Sequence, residues 1–304
     1  MIGIFFRQDV TQVVRAVENK GVTHIVSTAE LPAAFDWVVK SDVEVLASIF
    51  KEAISKFGVV HEEFYVSLPD ELFELDCGPY EAGIENEDED TKRKWAANFL
   101  HTDPNGSEFG FPFELRKRAS RIVTCCALKK SIRSALTDAV KAAGQNIILI
   151  EPAMASYLRY LNDWEREHCF LEVFNTAMVI MSFSPVFGAF KLPLPDYDWN
   201  RIEGFDSINF SMMIDQIIAQ HDSTAYQTFN GVANTDIKIH LISPFQERLL
   251  TSETLRQRLA GMPGEQPYIQ SDLTKEELHE LIVPIGAVLQ PVEEVMCSAF
   301  TQIM

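Results

Sequence analysis

Two stretches of the sequence decide its fold, and the first is Ile2–Ser27, which reads IGIFFRQDVTQVVRAVENKGVTHIVS. Its apolar and β-branched runs predict three strands, at Ile2–Phe6, Gln12–Glu18 and Thr23–Ser27. A short turn, Asn19-Lys20-Gly21, joins the last two strands, and we expect its Asn and Gly residues to supply the positive φ angles of a tight hairpin. The chain therefore begins with a three-stranded meander.

The second stretch repeats this pattern in the middle of the chain. It is Cys169–Leu192, which reads CFLEVFNTAMVIMSFSPVFGAFKL. Three strands joined by short turns are predicted in it, at Cys169–Phe174, Met178–Phe183 and Gly188–Leu192. Helix and strand patterns follow each meander, and no long low-complexity linker separates them. The sequence thus predicts an α/β protein of two lobes, each of which starts from a three-stranded meander.

Helices and strands alternate in the remaining sequence. Ser41–Glu44 has the pattern of a capping box and precedes apolar residues at helical spacing, which predicts a helix from Asp42 to Phe57 that stops at Gly58. The acidic stretch from Cys77 to Asp90 has no apolar stripe, so we interpret it as a solvated loop or a helix start. Further strands are predicted at Glu63–Leu68, Arg121–Leu128, Asn146–Ile150 and Ile237–Ile242. Further helices are predicted at Lys129–Ala143, around Ala155–Leu161, at Ser207–Gln220 and Ser252–Leu259, after a capping box at Thr274–Glu277, and at Val283–Gln290.

The composition excludes several classes of protein. Of the 304 residues, 47% are apolar, which suffices for one or two ordinary cores. Forty-four acidic and 26 basic residues give a net charge of −18, which disfavours nucleic acid and suits either solubility alone or a basic partner segment. Five cysteines without a C-x-x-C pair, and His168 beside Cys169 without a second ligand pair, predict neither disulfides nor a metal site. Without a long apolar run or a signal-peptide pattern, we expect a cytoplasmic protein.

Two meanders, each followed by helix and strand units, resemble the layout of the actin, sugar kinase and heat-shock chaperone superfamily. Within it, the chain is similar to the PilM family of type IV pilus assembly and to the cytoplasmic part of the GspL family of type II secretion. Gly3–Glu18 resembles the first phosphate hairpin, and Val43–Leu68 resembles the helix and strand that open the inserted small domain of PilM. Arg121–Leu161, which includes Ala142-Ala143-Gly144 and Glu151-Pro152-Ala153-Met154-Ala155, resembles the "AAG…VDVE…A" passage of PilM.

The resemblance implies an actin-like (ribonuclease H-like) two-lobed fold with a small inserted α/β subdomain. Residues 1–40 and 148–168 would form the first lobe, residues 41–147 the inserted subdomain, and residues 169–304 the second lobe with a reduced cap. The cap is expected to be reduced because Asp196–Asp236 is short for the subdomain that closes over nucleotide in full-length relatives. In this respect the chain resembles GspL more than PilM.

Departures from the family pattern concern the residues that would hold nucleotide. Nucleotide-binding relatives use a D-x-G-S-S-x-x-K hairpin, in which glycine exposes backbone amides, the acid organises magnesium and the lysine offsets phosphate charge. On this alignment Phe5 replaces the acid, Arg7 replaces the glycine and Gln12 replaces the lysine.

The second phosphate hairpin and the adenosine loop depart in the same way. Glu172 keeps an acid, but Phe174 places an aromatic ring where phosphate needs bare backbone, and Pro244 has no amide to donate. Taken singly, Phe5 and Phe174 would be ordinary core residues. If the alignment holds, these departures together imply that the nucleotide-binding positions are degenerate and that the chain binds no cofactor and no metal. They also imply that the large side chains of Phe5, Arg7, Phe174 and Pro244 pack together around the inter-lobe cleft.

Two functions remain open at this stage. The resemblance implies a non-catalytic scaffold of a pilus or secretion assembly platform that binds a short segment of an inner-membrane partner, as PilM binds the N-terminal tail of PilN. The alternative is a divergent ATP-binding ATPase or kinase, in which Glu172 would hold magnesium and Arg7 would meet phosphate. No P-loop, G-x-G-x-x-G, G-x-S-x-G or H-E-x-x-H motif is present, so we expect a protein that is not an enzyme.

Overall fold

The computed structural model describes residues 1–79, 84, 87–117, 120–162, 168–173, 177–183, 187–193, 211–212, 214–216, 218–219, 238–243, 252–263 and 266–289. The chain divides into two compact units. The first comprises Met1–Leu75, Pro79–Asp163 and Pro263–Met304, and the second comprises Asp76–Gly78 and Trp164–Met262.

The elements of the described residues are as follows in chain order. The strands are β1 (Ile2–Phe6), β2 (Thr11–Asn19), β3 (Val22–Leu31), β4 (Glu63–Leu68), β5 (Phe73–Pro79), β6 (Ser107–Lys117), β7 (Ser120–Lys129), β8 (Asn146–Pro152), β9 (His168–Val173), β10 (Ala177–Phe183), β11 (Phe187–Pro193), β12 (Ile239–Ile242) and β13 (Ile269–Gln270). The helices are α1 (Phe35–Lys40), α2 (Val43–Phe57), α3 (Glu89–Phe99), α4 (Lys130–Ala142), α5 (Ala153–Leu161), α6 (Glu253–Arg258), α7 (Lys275–Glu280) and α8 (Ile282–Val288).

A six-stranded sheet forms the centre of the first unit, in the order β13-β3-β2-β1-β4-β8. The meander strands β1, β2 and β3 pair antiparallel, as the sequence predicts. Strands β4 and β8 then continue parallel to β1. Strand β13 adds two residues parallel to β3, opposite Thr23 and His24. Because β1, β4 and β8 are parallel neighbours, their carboxyl ends lie along one edge of the sheet.

The hairpin between β2 and β3 is tight, but its positive φ angles are distributed differently from the prediction. They occur at Lys20, with φ of 54°, and at Gly21, with φ of 78°, and not at Asn19. A two-residue turn with two positive φ angles matches the twist of the flanking strands. Gly21 therefore occupies the position that the prediction gave it, whereas Lys20 adopts the conformation expected of asparagine.

One face of this sheet forms the main core with α2 and α4. Ile2, Ile4 and Phe6 alternate along β1 toward this face and are fully buried. Phe50 of α2 packs edge to face against Phe6 and Phe64, with ring centroids 5.9 and 5.0 Å apart. The strand that the sequence predicted at Ile2–Phe6 is thus confirmed with its bounds.

The predicted capping box of Ser41 and Glu44 is wrong, because α2 begins one residue later and Val45 occupies its N3 position, where a capping box needs Glu or Gln. Asp42 is the N-cap of α2, and its side chain accepts a hydrogen bond from the amide of Val45 at 3.1 Å. Ser41 instead ends α1 with a φ of 57°, so it belongs to a short helix that the sequence did not reveal. Gly58 ends α2 with a φ of 61°, as predicted. At the other end of the chain, the predicted capping box of Thr274 and Glu277 is confirmed in α7.

The structure divides the first unit differently from the boundaries that the resemblance implied. Residues 41–147 were expected in an inserted subdomain, yet β4 pairs with β1 and β8 at the centre of the sheet, and α2 packs on that sheet. The separate three-stranded sheet has the order β5-β7-β6, and α3 lies beside it. Pro263–Met304 belongs to the first unit, although it was expected in the second lobe, because α8 packs on α5 and β1.

In the stretch expected to be a solvated loop or helix start, β5 extends to Pro79 and α3 begins after Asp88. The Asp88 side chain caps α3 by accepting from the amide of Thr91 at 2.8 Å. The helix start is thus present, whereas the N-terminal part of the stretch is a strand.

The second unit contains a four-stranded sheet in the order β11-β10-β9-β12. Its meander pairs antiparallel and β12 runs parallel to β9, with Ile239 opposite Cys169. This is the same order as β3-β2-β1-β4 in the first unit, so the predicted recurrence of the meander is confirmed. Within Ser207–Gln220, residues 211–212, 214–216 and 218–219 are helical, and the rest of this predicted helix lies outside the described residues.

Candidate functional site

The carboxyl ends of β1, β4 and β8 form the edge of the first sheet at which open α/β sheets bind their ligands. We call this the carboxyl edge: Phe6, Leu68, Pro152 and the residues that directly follow them. The predicted phosphate hairpin lies here, because Arg7 to Val10 connect β1 to β2. This edge is therefore the candidate site in the first unit.

Side chains of the loop between β1 and β2 form hydrogen bonds with other groups of the chain. The Arg7 guanidinium bonds Asp9 through Nε, at 2.9 Å to Oδ1, and through Nη2, at 2.5 Å to Oδ2. Gln8 Nε2 donates to Glu71 Oε1 at 2.6 Å, and Thr11 Oγ1 donates to the carbonyl of Pro32 at 2.9 Å. These bonds hold the loop against the segments after β4 and β3. Arg7 is thus engaged by a carboxylate two residues away.

The side chain of Asp70, a residue shortly after β4, caps the N-terminus of α5, the helix that follows β8. Its carboxyl group is buried and accepts hydrogen bonds from the amides of Met154, at 3.1 Å, and Ala153. The first amides of a helix form the ready-made anion site of many phosphate-binding proteins. Here those two amides already have an acceptor from the protein itself. Burial raises the pKa of Asp70 to about 7, although the two backbone hydrogen bonds oppose this increase.

Asp70→Asn is expected to stabilise the protein more at pH 8 than at pH 5. The folded-state pKa lies above the ordinary value of 3.8, so the stability associated with Asp70 is lost as the pH rises toward and through about 7. Asparagine keeps an acceptor for the α5 amides and cannot ionise. Relative to wild type, we expect the variant to gain about 1 kcal/mol or more between pH 5 and pH 8, or roughly 2–4 °C in Tm.

The measurement for Asp70→Asn is thermal unfolding at the two pH values. Asp42→Asn is the matched control, because Asp42 also caps a helix but at a half-buried position. Its stability difference from wild type should be the same at both pH values. A pH-independent effect of Asp70→Asn would show that Asp70 is already ionised at pH 5.

The remaining predicted positions of the first hairpin are buried in the sheet. Phe5 and Gln12 face each other across β1 and β2, and their exposed fractions are 1% and 2%. Phe5 is therefore a buried strand residue, as expected of this phenylalanine when it is considered without the family alignment. The buried Gln12 side chain has no positive charge to offset a phosphate.

In the second unit, Glu172 lies in β9 opposite Ile242 of β12, and its side chain is buried. The segments after these parallel strands contain Phe174 and Pro244, which lie outside the described residues. The predicted proximity of Phe5, Arg7, Phe174 and Pro244 therefore stays a prediction. Among the residues that the structure does describe, no group of three or more His, Cys, Asp and Glu side chains could hold a metal ion.

A buried polar network behind the carboxyl edge was not foreseen from the sequence. Glu151 at the end of β8 and Arg159 of α5 form an ion pair with 0% and 2% of their side chains exposed. Arg159 Nη1 donates to Glu151 Oε1 at 2.8 Å and Nη2 donates to Oε2. Ser156 donates to Glu151 and lies 2.6 Å from Ser67 between their hydroxyl oxygens. Only the E-P-A-M-A stretch pointed to this region, and it did not indicate Arg159.

The same arginine also bonds α8, the last helix of the described residues. Arg159 Nη1 also donates to the carbonyls of Gly286, at 2.9 Å, and Ala287, at 3.4 Å. These carbonyls belong to α8, whose last turn leaves carbonyls without partners inside the helix. The network thus links β4, β8, α5 and α8.

Comparisons with known proteins address the fold. No protein-family model and no curated protein matches the sequence. The structure is similar to a chain of the solved PilM-PilN type IV pilus biogenesis complex, with a TM-score of 0.69 and 14% identity over 95% of this chain and 98% of that chain. It is also similar to the cytoplasmic domain of EpsL, an inner membrane component of the type II secretion system of Vibrio cholerae, with a TM-score of 0.48 and 9% identity over 92% and 93%.

A third similar structure, a Bacteroides thetaiotaomicron protein of unknown function with an actin-like ATPase fold, has a TM-score of 0.47 and 12% identity over 85% of this chain and 87% of that chain. No helix of the described residues is long and apolar enough to cross a membrane. At 14% identity, the first similarity concerns the fold, and it extends over nearly all of both chains. The chain therefore has the actin-like fold that the resemblance implied, and its fold is similar to that of a chain of the PilM-PilN complex.

Proposed function

We propose that this chain is a non-catalytic, cytoplasmic scaffold of a type IV pilus or type II secretion assembly platform, and that it binds a short segment of an inner-membrane partner. The observation that carries the proposal is the shared fold with a chain of the PilM-PilN complex over 95% of this chain. That structure is a complex between two pilus biogenesis proteins, so the same fold serves there in protein binding. Membrane association would then come through the partner.

The geometry of the carboxyl edge supports a role without nucleotide. Phosphate sites in proteins combine free backbone amides with positive charge. In the first unit the Ala153 and Met154 amides donate to Asp70, and the Arg7 guanidinium bonds Asp9. A triphosphate would have to displace two carboxylates at this edge. The net charge of −18 adds a long-range repulsion toward a nucleotide and favours a partner segment with basic residues.

Binding to a partner tail tests the scaffold proposal. The probe is a labelled synthetic peptide of the cytoplasmic N-terminal tail of each inner-membrane protein encoded beside the gene, and the measurement is fluorescence anisotropy with the full chain. We expect one tail to bind with a micromolar Kd, about −8 kcal/mol, and to bind more weakly at higher salt. A scrambled tail of the same composition is the control. Equal binding of tail and scramble, or neighbouring genes without any pilus or secretion component, would contradict the proposal.

A divergent ATPase or kinase remains the second candidate, because Arg7 lies at the carboxyl edge and Glu172 is a buried acid near the end of β9. Calorimetry with ATP and Mg²⁺ separates the two. We expect no binding heat with nucleotide at about 1 mM. Any remaining affinity would then have a Kd above about 1 mM, which corresponds to a binding free energy weaker than about −4 kcal/mol. A micromolar Kd that Arg7→Ala weakens would establish nucleotide binding at this edge and reject the non-catalytic proposal.

A further inference from the structure

An Asn-Gly pair lies in the turn that connects α3 to β6, at Asn105 and Gly106. Asparagine followed by glycine is especially prone to deamidation, because glycine has no side chain to hinder attack by its backbone nitrogen on the asparagine side chain. Both residues are exposed to solvent. The sequence and the exposure taken alone would therefore predict rapid loss of this side-chain amide.

Deamidation at this pair needs only water and hydroxide from the solvent. Hydroxide removes the amide proton of Gly106, and the nitrogen attacks Cγ of Asn105. The N–Cγ bond forms, the Cγ–Nδ2 bond breaks, and ammonia leaves with a proton from water, which gives a succinimide ring. Water then opens the ring to aspartate or isoaspartate. The net change is the hydrolysis of an amide to a carboxylic acid and ammonia.

Asp103 binds the nitrogen that would attack. Its carboxylate accepts from the amide of Gly106 through Oδ2, at 3.1 Å, and from the amide of Asn105 through Oδ1, at 2.9 Å. A carboxylate beside the Gly106 nitrogen disfavours its deprotonation, because two negative charges would then lie side by side. The nitrogen must also leave this acceptor before it can approach Cγ. Both effects slow ring closure.

The carbonyl of the same peptide group is bound from the other side, by α4. The carbonyl oxygen of Asn105 accepts from Lys130 Nζ at 2.7 Å, and the carbonyl of Gly106 accepts from the Lys130 amide at 3.0 Å. Attack on Cγ requires rotation of the peptide group between Asn105 and Gly106. Because this group is planar, its oxygen and its N–H turn together. The rotation therefore breaks the bond to Lys130 as well as the bond to Asp103.

The side-chain amide that would be attacked is not restrained in this way. Among the residues that the structure describes, none forms a hydrogen bond with the Asn105 side chain; the bonds of this residue are made by its backbone. The reaction is thus controlled from the side of the attacking nitrogen. Opening of the turn would release that nitrogen, so the reaction rate should follow the population of the opened turn.

We propose that Asn105 is a site of spontaneous deamidation, that the Asp103 carboxylate keeps the reaction slow in the folded protein, and that Asn105 reacts when the turn opens. The product carries one further carboxylate. Isoaspartate would also insert a methylene group into the backbone beside Gly106, whose carbonyl bonds the Lys130 amide. The modification would therefore weaken the attachment of this turn to α4. The inference does not depend on the proposed function.

Deamidation rates of the full chain and of a peptide test the inference. The peptide comprises residues 101–108, and both are incubated at mildly alkaline pH. Tryptic digestion and mass spectrometry then measure the acid form at position 105. We expect deamidation in the full chain to be at least about tenfold slower than in the peptide, as a hydrogen bond to a charged group allows. Asp103→Ala in the full chain should remove most of this difference, after correction by the peptide with the same substitution.

Asp88→Ala is the matched control for Asp103→Ala. Asp88 is also an exposed carboxylate that accepts from a backbone amide, that of Thr91 at 2.8 Å, but it caps α3. Its replacement should leave the rate at Asn105 at the wild-type value. The inference is overturned if the wild-type chain reacts as fast as the peptide, or if Asp103→Ala does not accelerate the reaction. Equal acceleration by the two substitutions would also overturn it, because the rate would then reflect a general loss of stability.

Discussion

Glu151→Gln is expected to lower the free energy of unfolding by about 3 kcal/mol or more, because it removes one charge of a fully buried ion pair. Glutamine has nearly the shape of glutamate, so packing is preserved. The charge, however, is removed, and the Arg159 guanidinium is left buried without its counter-charge. The amide oxygen of glutamine can still accept from one Arg159 nitrogen, as can the Gly286 and Ala287 carbonyls at 2.9 and 3.4 Å from Nη1, but the amide NH₂ group would set a donor against the other Arg159 donor. The Ser156 hydroxyl would donate to a neutral amide oxygen instead of a carboxylate oxygen.

Urea denaturation checks this expectation, and Arg133→Met is its control. Arg133 of α4 pairs with Glu108 of β6 at 3.3 Å, but their side chains are 30% and 33% exposed. Loss of such a pair should cost less than about 1 kcal/mol. Adding Arg159→Met to Glu151→Gln should recover at least about 1 kcal/mol, because the uncompensated charge disappears. If Glu151→Gln costs no more than Arg133→Met, the ion pair is not desolvated as the structure has it.

The local elements of this fold were largely predictable from sequence. Ile2–Phe6 and Glu63–Leu68 were predicted with their observed bounds, because apolar runs bounded by turn residues mark short strands clearly. The helix α1 was missed because it has only six residues and because Ser41, which ends it, also starts a Ser41–Glu44 sequence with the residue types of a capping box. β13 was missed because its two residues become a strand only by pairing with β3.

The candidate site was less predictable, for a different reason. The replaced positions Phe5, Arg7 and Gln12 can be read against a family pattern because they are close together in sequence. The groups that occupy the carboxyl edge and its surroundings are not: Asp70 meets Met154, and Glu151 meets Arg159 and, through it, Gly286. No periodicity links these residues. The packing of α8 on α5 and β1 also joins segments that are far apart in sequence. For this reason the predicted boundary at residue 169 placed α8 in the second lobe, whereas it belongs to the first unit.

Gly286→Ala is expected to destabilise the protein by about 2 kcal/mol or more, or to prevent folding. In an isolated helix this change would stabilise by about 1 kcal/mol, so the expected sign is opposite to helix propensity. A Cβ at position 286 would lie 1.9 Å from the carbonyl oxygen of Ser156 and 2.6 Å from its carbonyl carbon. Both atoms are backbone of α5, so no rotamer change removes the overlap. The two helices would have to separate, which would also pull the α8 carbonyls away from Arg159.

Gly261→Ala is the control for Gly286→Ala, because a Cβ there meets nothing within 4 Å, and its effect should stay within about 0.5 kcal/mol. Gly3→Ala tests the same packing from the opposite side of α8, since its Cβ would lie 2.0 Å from the carbonyl oxygen of Pro284. Denaturation measures all three variants, and soluble yield with resistance to proteolysis serves where a variant does not fold. If α8 is packed between β1 and α5, Gly3→Ala and Gly286→Ala should both destabilise the protein. A stabilised Gly286→Ala would mean that α8 does not pack against α5 in this way.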